Sequence, residues 1–308
     1  MSKKLHKDIE EKQIELGDTP ETTRLVHNFF MAGTGGNYNY NDITTIKEFL
    51  KYAGTTKEMK QYKVALLFIC TGQNYWQYIL DAVNGAKQYF LPGHKTDFFL
   101  WSDVPDIQGD ITVFPTDATD WPLPTLMRYH LFLQQEEKLK EYDYIFYCDI
   151  DMRFVNVVGD EILGEGLTAA QHPMYALRKG LQFPLEPNEG SSAYIQQPEF
   201  YYAGGFQGGT AKDFITAMKE MRKGIDADFV KNYMARWNDE SHWNKYLLTT
   251  RPNIVLSPSY VYPDSLIKEY YEKIWGCSYP PKIVTLTKPF TVSKEAGSEL
   301  AKNLSAPL

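Results

Sequence analysis

One stretch, Tyr144–Phe154, constrains the fold most, because an apolar run leads there directly into two acidic residues. Tyr144–Cys148 has the composition of a buried strand, and Asp149 and Asp151 follow it. Residues two apart in an extended chain point to the same side, so both carboxylates face one way at the strand's carboxyl end. Open α/β sheets bind their ligands at that end.

Two converging carboxylates offer the hard oxygen ligands that Mg²⁺ and Mn²⁺ prefer. A solvated turn after a buried strand is the alternative. Asp226 and Asp228 have the same spacing but lie in a polar stretch with no strand before them, so the spacing alone is not diagnostic. The strand context favours a metal site at Asp149 and Asp151.

Composition excludes several classes of protein. The net charge of −7 argues against a nucleic-acid-binding face, whereas 22 Tyr, 17 Phe and 6 Trp favour a folded protein with apolar clefts. Cys70, Cys148 and Cys277 are far apart and odd in number, which argues against a disulfide framework or a zinc cluster. No apolar run reaches the roughly 18 residues of a membrane span and no signal region follows Met1, so we expect a soluble cytoplasmic protein.

The chain divides into two parts. Residues 1–60 contain charged, helix-compatible stretches around a polar glycine-rich loop. These stretches are Lys3–Leu16, Pro20–Met31 and Thr44–Tyr52. We expect them to form a helical extension that packs on the core or on another copy of the chain. Alternating strand and helix patterns predict one α/β domain over residues 61–308. Its predicted strands are Lys63–Cys70, Asp97–Trp101, Ile111–Phe114, Tyr144–Cys148 and Asn253–Leu256.

Several further stretches carry chemistry. A helix is predicted from Pro124 or Thr125 to Lys140, with Arg128 in its first turn, either solvated or facing an anion. The glycines of Phe200–Gly209 indicate a tight strand-to-helix turn or the floor of a ligand site, and Thr210 is suited to cap the helix that follows, to about Lys223. Another candidate is the acid pair Asp239 and Glu240, which lies beside Trp237, His242 and Trp243.

The last candidates are the lysines near the end of the chain, Lys282, Lys288, Lys294 and Lys302. They form either a mobile basic tail that closes over a diphosphate or a solvated terminus.

Together these stretches resemble glycosyltransferase family 6, the family of the histo-blood-group A and B transferases and α1,3-galactosyltransferase, in a soluble microbial or viral-type form. The resemblance covers about residues 62–290. The matching pieces, in the family's order, are Phe68–Gly72, Trp121-Pro122 with Arg128, Tyr144–Met152, His172-Pro173, Ala193–Ile195, Tyr201–Gly205 with Gly208-Gly209, Asp239–Ser241 with Asn244–Tyr246, and Leu256–Pro258.

The resemblance implies a GT-A fold and retaining transfer of N-acetylgalactosamine or galactose from a UDP-sugar to a galactoside, possibly fucosylated, with an α1,3 linkage. It implies Mn²⁺ or Mg²⁺ at Asp149 and Asp151, and Glu240 at the anomeric carbon. The other implied contacts are substrate contacts: Phe68, Cys70 and Tyr75 at the nucleoside, Arg128 and Asp239 at the donor sugar, His172 and Trp237 at the acceptor, and Ala203, Gly204, Gly205 and Lys288 around the donor.

Some positions depart from the family. Asn238 stands where the family usually has His, Met174 follows His172-Pro173 where a small residue is common, and Glu186–Glu189 replaces a Glu-Arg-Arg stretch. In the blood-group enzymes, a Gly matching Gly205 accompanies N-acetylgalactosamine, so this donor is expected. The alternatives are a UDP-galactose-specific enzyme, a non-catalytic sugar-binding module of the same fold, and a metal phosphohydrolase.

Overall fold

The structure is a computed structural model that describes residues 20, 24, 60–104, 107, 109–176, 183–196, 198–264 and 279–288. The strands in this part of the chain are β1 (Lys63–Cys70), β2 (Lys95–Ser102), β3 (Thr112–Pro115), β4 (Tyr144–Cys148), β5 (Met152–Phe154), β6 (Leu167–Gln171), β7 (Tyr202–Thr210), β8 (Ile254–Leu256), β9 (Tyr262–Pro263) and β10 (Ile283–Thr285). Seven of them form one sheet in the order β3-β2-β1-β4-β7-β6-β8, and β5-β10-β9 form a second. The predicted α/β architecture is confirmed.

The α-helices of the described residues lie between these strands. They are α1 (Ile79–Tyr89), α2 (Leu123–Leu126), α3 (Arg128–Leu133), α4 (Glu136–Leu139), α5 (Ala211–Phe229) and α6 (Asn238–Thr249), with short 3-10 turns at Gln73–Tyr78, Asp160–Ile162 and Pro258–Val261. Thr210 caps α5 as predicted, since its hydroxyl accepts a hydrogen bond from the Asp213 amide at 3.2 Å, but the helix continues to Phe229. Among these residues, no helix combines the length and apolarity needed to cross a membrane.

The predicted single helix from Pro124 or Thr125 to Lys140 was wrong. The backbone leaves helical geometry at Met127 (φ −90°, ψ 3°) and at Gln135 (φ −109°, ψ 23°), which divides the segment into α2, α3 and α4. Arg128 therefore begins a new helix and is not in the first turn of a long one. From this position its side chain contacts the Gly204 carbonyl of β7.

β1 is the centre of the core because its side chains are buried on both faces. Leu66 and Phe68 pack on the side of α1, while Leu67 and Ile69 pack on the side of α3 and α5. A strand that is apolar at every position suits a sheet covered by helices on both sides. The continuous apolar run in the sequence has this cause.

The order of the strands creates a crevice beside β1. β2 and β4 both pair with β1 in parallel, and the chain passes from β1 to β2 and β3 before it returns to β4 on the other side. The connections thus leave the carboxyl ends of β1 and β4 in opposite directions. Such a reversal is where open α/β sheets bind ligands.

β7 runs unbroken and antiparallel between β4 and β6. Its glycines do not form a tight turn, because the strand continues to Thr210. Gly208 has no room for a side chain, since a Cβ there would lie 2.4 Å from the Ile145 carbonyl oxygen and 2.4 Å from Phe146 Cδ1. Two of the four glycines in this strand, Gly208 and Gly209, thus serve sheet packing; Gly204 and Gly205 face the carboxylates described below.

The second sheet brings residues 279–288 back to the centre. Lys282 is buried and its ammonium donates to the Glu161 carboxylate at 3.1 Å and to the Val157 carbonyl at 2.5 Å, so the expectation that it belongs to a mobile tail was wrong. The predicted stretches Lys3–Leu16 and Thr44–Tyr52, and Cys277, Lys294 and Lys302, lie outside the described residues. Of Pro20–Met31, Pro20 and Arg24 are described and are helical.

Gly208→Ala is expected to destabilise the fold by about 1–3 kcal/mol, because the added methyl group meets backbone that cannot move without separating β7 from β4. Gly190→Ala is the matched control, since its Cβ would meet only the Asn188 side chain, at 3.2 Å and beyond. Urea denaturation of both variants measures the free energy of unfolding. Equal stability of the two would contradict the close approach of these strands.

Candidate active site

A cleft opens at the carboxyl ends of β1 and β4, where the reversal in strand order lies. Its walls come from the segments after β1, from α2 and from the segment after β4. The lining residues are Ile69, Thr71, Tyr75, Trp121, Pro124, Thr125, Tyr147, Asp149, Ile150, Asp151 and Lys288. Of the predicted site residues, Tyr75, Asp149, Asp151 and Lys288 therefore meet here.

Arg128 lies at the bottom of this region with its side chain only 2% exposed. Its guanidinium donates to the Gly204 carbonyl at 3.0 Å, lies 3.3 Å from a carboxylate oxygen of Asp149 and 3.3 Å from one of Asp239, and stacks 4.1 Å above the Tyr147 ring. Burial lowers the pKa of Arg128, but the two carboxylates outweigh it and raise the pKa above its usual value. The side chain is a fixed cation joining two acidic pairs.

The first acidic pair follows β4. The Tyr147 hydroxyl donates to the same Asp149 oxygen that Arg128 contacts. Asp151 is buried and accepts the Lys288 ammonium at 2.9 Å. Burial and the Asp149 charge raise the pKa of Asp151, while Lys288 lowers it. A cation beside this carboxylate favours its ionised form.

The donor chemistry of Asp149 and Asp151 fits a hard divalent cation. The ammonium of Lys288 already occupies a cation position beside Asp151. No group of three or more His, Cys, Asp or Glu side chains able to hold a metal occurs among the described residues. Asp149 and Asp151 would hold such a cation, which would need further oxygen ligands from water or from a bound ligand.

The second acidic pair begins α6. Burial raises the pKa of Asp239 to about 7, an effect that Arg128 only partly offsets. One Asp239 oxygen lies 3.3 Å from Arg128 but makes no hydrogen bond within the described structure. Such a buried polar atom is uncommon in folded proteins and indicates a missing partner.

Glu240 is oriented by two donors. The Tyr201 hydroxyl donates to one of its oxygens at 2.8 Å and the Gly204 amide to the other at 2.8 Å. The absence of a side chain at Gly204 allows this contact, because a Cβ there would lie 3.2 Å from Glu240 Cβ. The carboxylate is held with both oxygens fixed.

An aromatic wall lies beside Glu240. His172 packs on Tyr201 and Tyr175, and burial lowers the pKa of His172, which keeps the ring neutral near pH 7. Trp237 is half-buried at the beginning of α6, where Asn238 adopts a left-handed conformation (φ 51°) that Asn tolerates better than most residues. The structure thus places His172 against Tyr201, which orients Glu240, and Trp237 directly before the acid pair.

Three predicted contact residues lie in the core and not on the cleft surface. Phe68 and Cys70 point towards α1, while the alternate residues Ile69 and Thr71 line the cleft. Ala203 is also buried in that core. Their contact with a ligand stays a prediction.

Sequence reasoning missed two residues that hold the acids, Tyr147 and Tyr201. The period-two pattern of β4 places Tyr147 on the same side as Asp149, which is a signal available in the sequence. No local pattern indicates the contact of Tyr201 with Glu240, which is 39 residues away. Only the packing of α6 on β7 produces it.

His242, on α6, is buried and does not line the cleft. It is 3% exposed and faces the buried carboxylate of Asp228, whose nearest oxygen is 3.8 Å from His242 Nε2. Burial lowers the pKa of His242 to about 4 against smaller opposing effects of Asp228 and Glu186. The imidazole is therefore neutral in the folded protein over most of the pH range.

Comparison with known proteins gives one consistent family. The sequence profile of Glycosyltransferase family 6 matches residues 55–274. Globoside alpha-1,3-N-acetylgalactosaminyltransferase 1 of Gallus gallus is 32% identical over 203 residues, which cover 62% of this chain and 59% of the relative. Histo-blood group ABO system transferase 2 of Rattus norvegicus is 30% identical over 242 residues, 73% of this chain and 69% of the relative.

A bacterial relative is also similar. O-antigen biosynthesis glycosyltransferase WbnI of Escherichia coli is 26% identical over 208 residues, 65% of this chain and 88% of the relative. Against the chicken and human globoside transferases, the match spans 59% and 58% of their length, less than two thirds.

His242→Gln is expected to reduce the dependence of stability on pH. The folded pKa of about 4 lies below the unfolded value of 6.5, so the unfolded state binds more protons between these values and the wild-type protein loses stability as pH falls. Between pH 7.5 and pH 5 this loss is about 2 kcal/mol, and the glutamine variant lacks it. Urea denaturation of both proteins at the two pH values measures the difference. Parallel changes in both proteins would contradict a neutral buried His242.

Proposed function

The chain belongs to glycosyltransferase family 6, and we propose that it transfers N-acetylgalactosamine or galactose from a UDP-sugar to a galactoside, with retention and an α1,3 linkage. One observation carries the proposal: the buried Arg128 joins Asp149, which lines the cleft together with Asp151, to Asp239, which Glu240 follows. The name of the chicken relative supports N-acetylgalactosamine as the sugar and the α1,3 linkage.

The donor diphosphate is proposed to lie in the cleft beside Lys288 and the Asp149/Asp151 pair. A divalent cation such as Mn²⁺ or Mg²⁺, when bound there, supplies Lewis-acid stabilisation of the departing diphosphate. The Lys288 ammonium adds a second positive charge, and it lies 5.4 Å from the ring centre of Tyr75, which lines the same cleft. A basic group at this point stabilises the charge that develops on UDP as it leaves.

Asp239 is proposed to bind the donor sugar. Its carboxylate oxygen that lacks a hydrogen bond is an acceptor for a sugar hydroxyl, and the neighbouring Arg128 is a fixed donor. A hydroxyl in this position removes the cost of a buried acceptor without a partner, which favours binding of the donor. Arg128 thereby links the sugar to the Asp149 side of the cleft.

Glu240 is proposed to face the anomeric carbon. As the bond between the sugar and UDP breaks, positive charge develops on the sugar ring, and the fixed Glu240 carboxylate stabilises it either by its charge or by forming a covalent ester. The acceptor hydroxyl then forms the new bond on the face that UDP left, with its proton passing to the departing phosphate or to Glu240. His172 and Trp237 bind the acceptor beside this point.

The donor is proposed to be UDP-N-acetylgalactosamine, with UDP-galactose as the second candidate. The chicken and human relatives are named as N-acetylgalactosaminyltransferases, which supports this donor. A sugar-binding module without catalysis would not require the two donors that orient Glu240. A phosphohydrolase would require more metal ligands than the two carboxylates present.

The test measures UDP release with UDP-N-acetylgalactosamine or UDP-galactose, with Mn²⁺ or EDTA, and with fucosylated and plain galactosides. We expect metal-dependent transfer that Asp149→Asn lowers by at least about 10²-fold, since the departing charge loses its stabilisation. Glu240→Gln is expected to retain donor binding but to lose a similar factor in kcat. Full activity in EDTA would contradict the metal role, and hydrolysis that no acceptor diverts would favour a hydrolase.

Gly205→Ala is expected to weaken donor binding, because a Cβ there would lie 2.9 Å from an Asp149 carboxylate oxygen and 3.2 Å from Met152 Sδ. The carboxylate must then move, and both metal and diphosphate affinity fall. Isothermal titration with UDP and Mn²⁺ measures this, with Gly190→Ala as the control at a distant turn. Unchanged affinity in Gly205→Ala would show that Asp149 does not hold the cation.

A further inference from the structure

Two buried carboxylates have no part in the proposed chemistry. Glu186 and Asp228 are each 1% exposed, yet neither lines the cleft between β1 and β4. Ionised groups in the interior are unstable unless several donors surround them. Their partners show what each one holds in place.

Glu186 accepts three hydrogen bonds from neutral donors. One oxygen accepts from the backbone amide of Asn188 at 2.8 Å and from the Tyr233 hydroxyl at 2.6 Å. The other oxygen accepts from the backbone amide of Arg236 at 2.5 Å. The carboxylate raises the pKa of Tyr233 to about 12, together with burial. Glu186 thus fastens residues 183–196, which we call the anchored segment, to the turn that precedes α6.

Asp228 fastens the other part of the anchored segment. One of its oxygens accepts from the Ser192 amide at 2.7 Å and the other from the Ser191 hydroxyl at 2.6 Å. Asp228 is near the end of α5, so the segment is attached to a long helix as well as to the turn before α6. Two attachment points define its position.

The attachment at Arg236 lies one residue from Trp237 and four from Glu240. Trp237 continues this path, since its amide donates to the Ser241 hydroxyl at 3.1 Å and its carbonyl accepts from the Glu240 amide at 3.0 Å. A shift of the Arg236 amide therefore moves Trp237, which is proposed to bind the acceptor together with His172; we call these two side chains the acceptor wall. Asn244 also stabilises the first turn of α6, since its side-chain amide donates to the Glu240 carbonyl at 2.9 Å.

The anchored segment also contacts Tyr201, the residue that orients Glu240. The Phe183 ring stacks on Tyr201 with ring centres 5.9 Å apart and an interplanar angle of 19°. Tyr201 is the residue whose hydroxyl orients Glu240. Within four residues, Phe183 and Glu186 thus contact both elements that shape the acceptor side, whereas the cleft around Asp149 and Asp151 has no residue from this segment.

We propose that Glu186 is a positioning residue for the acceptor: its carboxylate sets the Arg236–Trp237 backbone and thereby the acceptor wall, leaving the donor half unaffected. The inference rests on the proposed function and deepens it. The anchored segment contains the Glu186–Glu189 stretch in which this chain departs from its family. The residues between the attachment at Glu186 and the attachment at Ser191 and Ser192 thus influence the choice of acceptor through the position of Trp237.

Glu186→Gln tests the proposal, because the substitution replaces one acceptor oxygen by an NH₂ donor. This donor faces either the backbone amide of Arg236 or the donors of Tyr233 and Asn188, and it cannot accept a hydrogen bond from them. We expect the acceptor KM to rise about tenfold while the donor KM and UDP-sugar hydrolysis without acceptor stay within about twofold. Tyr233→Phe removes one donor and is expected to change the acceptor KM by only about two- to threefold. Glu220→Gln is the control, since this exposed carboxylate of α5 lies outside the anchored segment and pairs with the exposed Lys223 ammonium. A parallel loss in donor KM and hydrolysis, or an unchanged acceptor KM, would overturn the proposal.

Amide hydrogen exchange without substrate separates this result from failure of the proposed function. In Glu186→Gln, peptides covering 233–238 are expected to exchange several-fold faster, while those covering 144–151 do not change. Unchanged exchange at 233–238 would overturn the anchoring role even if the wild-type protein showed no transfer. Faster exchange with no wild-type transfer would leave the anchor supported and refute the proposed reaction. If Glu186→Gln does not fold, Tyr233→Phe provides both measurements.

Discussion

The buried guanidinium of Arg128 is the contact on which the site depends. It lies between Asp149 at the end of β4 and Asp239 at the beginning of α6, donates to the Gly204 carbonyl of β7 and stacks on Tyr147. A planar guanidinium presents several donors in fixed directions, which a lysine ammonium does not. Without this cation, the buried carboxylate of Asp239 would have no charged partner and would face the partly exposed carboxylate of Asp149.

The second constraint is steric, and it comes from glycine. A side chain at Gly205 would displace Asp149, and one at Gly204 would crowd Glu240, so β7 passes between the two acidic pairs only because it has no Cβ at these positions. The same strand needs Gly208 for its close approach to β4. One glycine-rich strand therefore satisfies both sheet packing and the spacing of the acids.

The two halves of the site come from different parts of the architecture. The carboxyl ends of the parallel strands β1 and β4 form the cleft that we assign to the donor, where charge is concentrated. The antiparallel strand β7, helix α6 and the anchored segment form the side that we assign to the acceptor, where aromatic rings and buried anchors predominate. Arg128 joins Asp239, the neighbour of Glu240 in the second half, to Asp149 in the first, so the proposed chemistry lies where the halves meet.

The sequence by itself determined the elements whose pattern is local. The apolar runs of β1 and β4 fixed two central strands at their observed bounds, because a strand buried on both faces needs an apolar residue at every position. The period of an extended chain placed Asp149 and Asp151 on one side at a strand end, and the order of eight short motifs indicated the family. Thr210 was recognisable as a cap because its hydroxyl acts on a backbone amide three residues away.

Tertiary structure decided what depends on distant contacts. The break that makes Arg128 the start of a separate helix, and the burial of Phe68 and Cys70 on the core face of β1, follow from packing and have no local signal. Asp228 has the same spacing from Asp226 as the site pair has, yet it became a buried anchor because α5 carries it against Ser191 and Ser192. A carboxylate's role depends on which donors surround it, and those donors come from residues far along the chain.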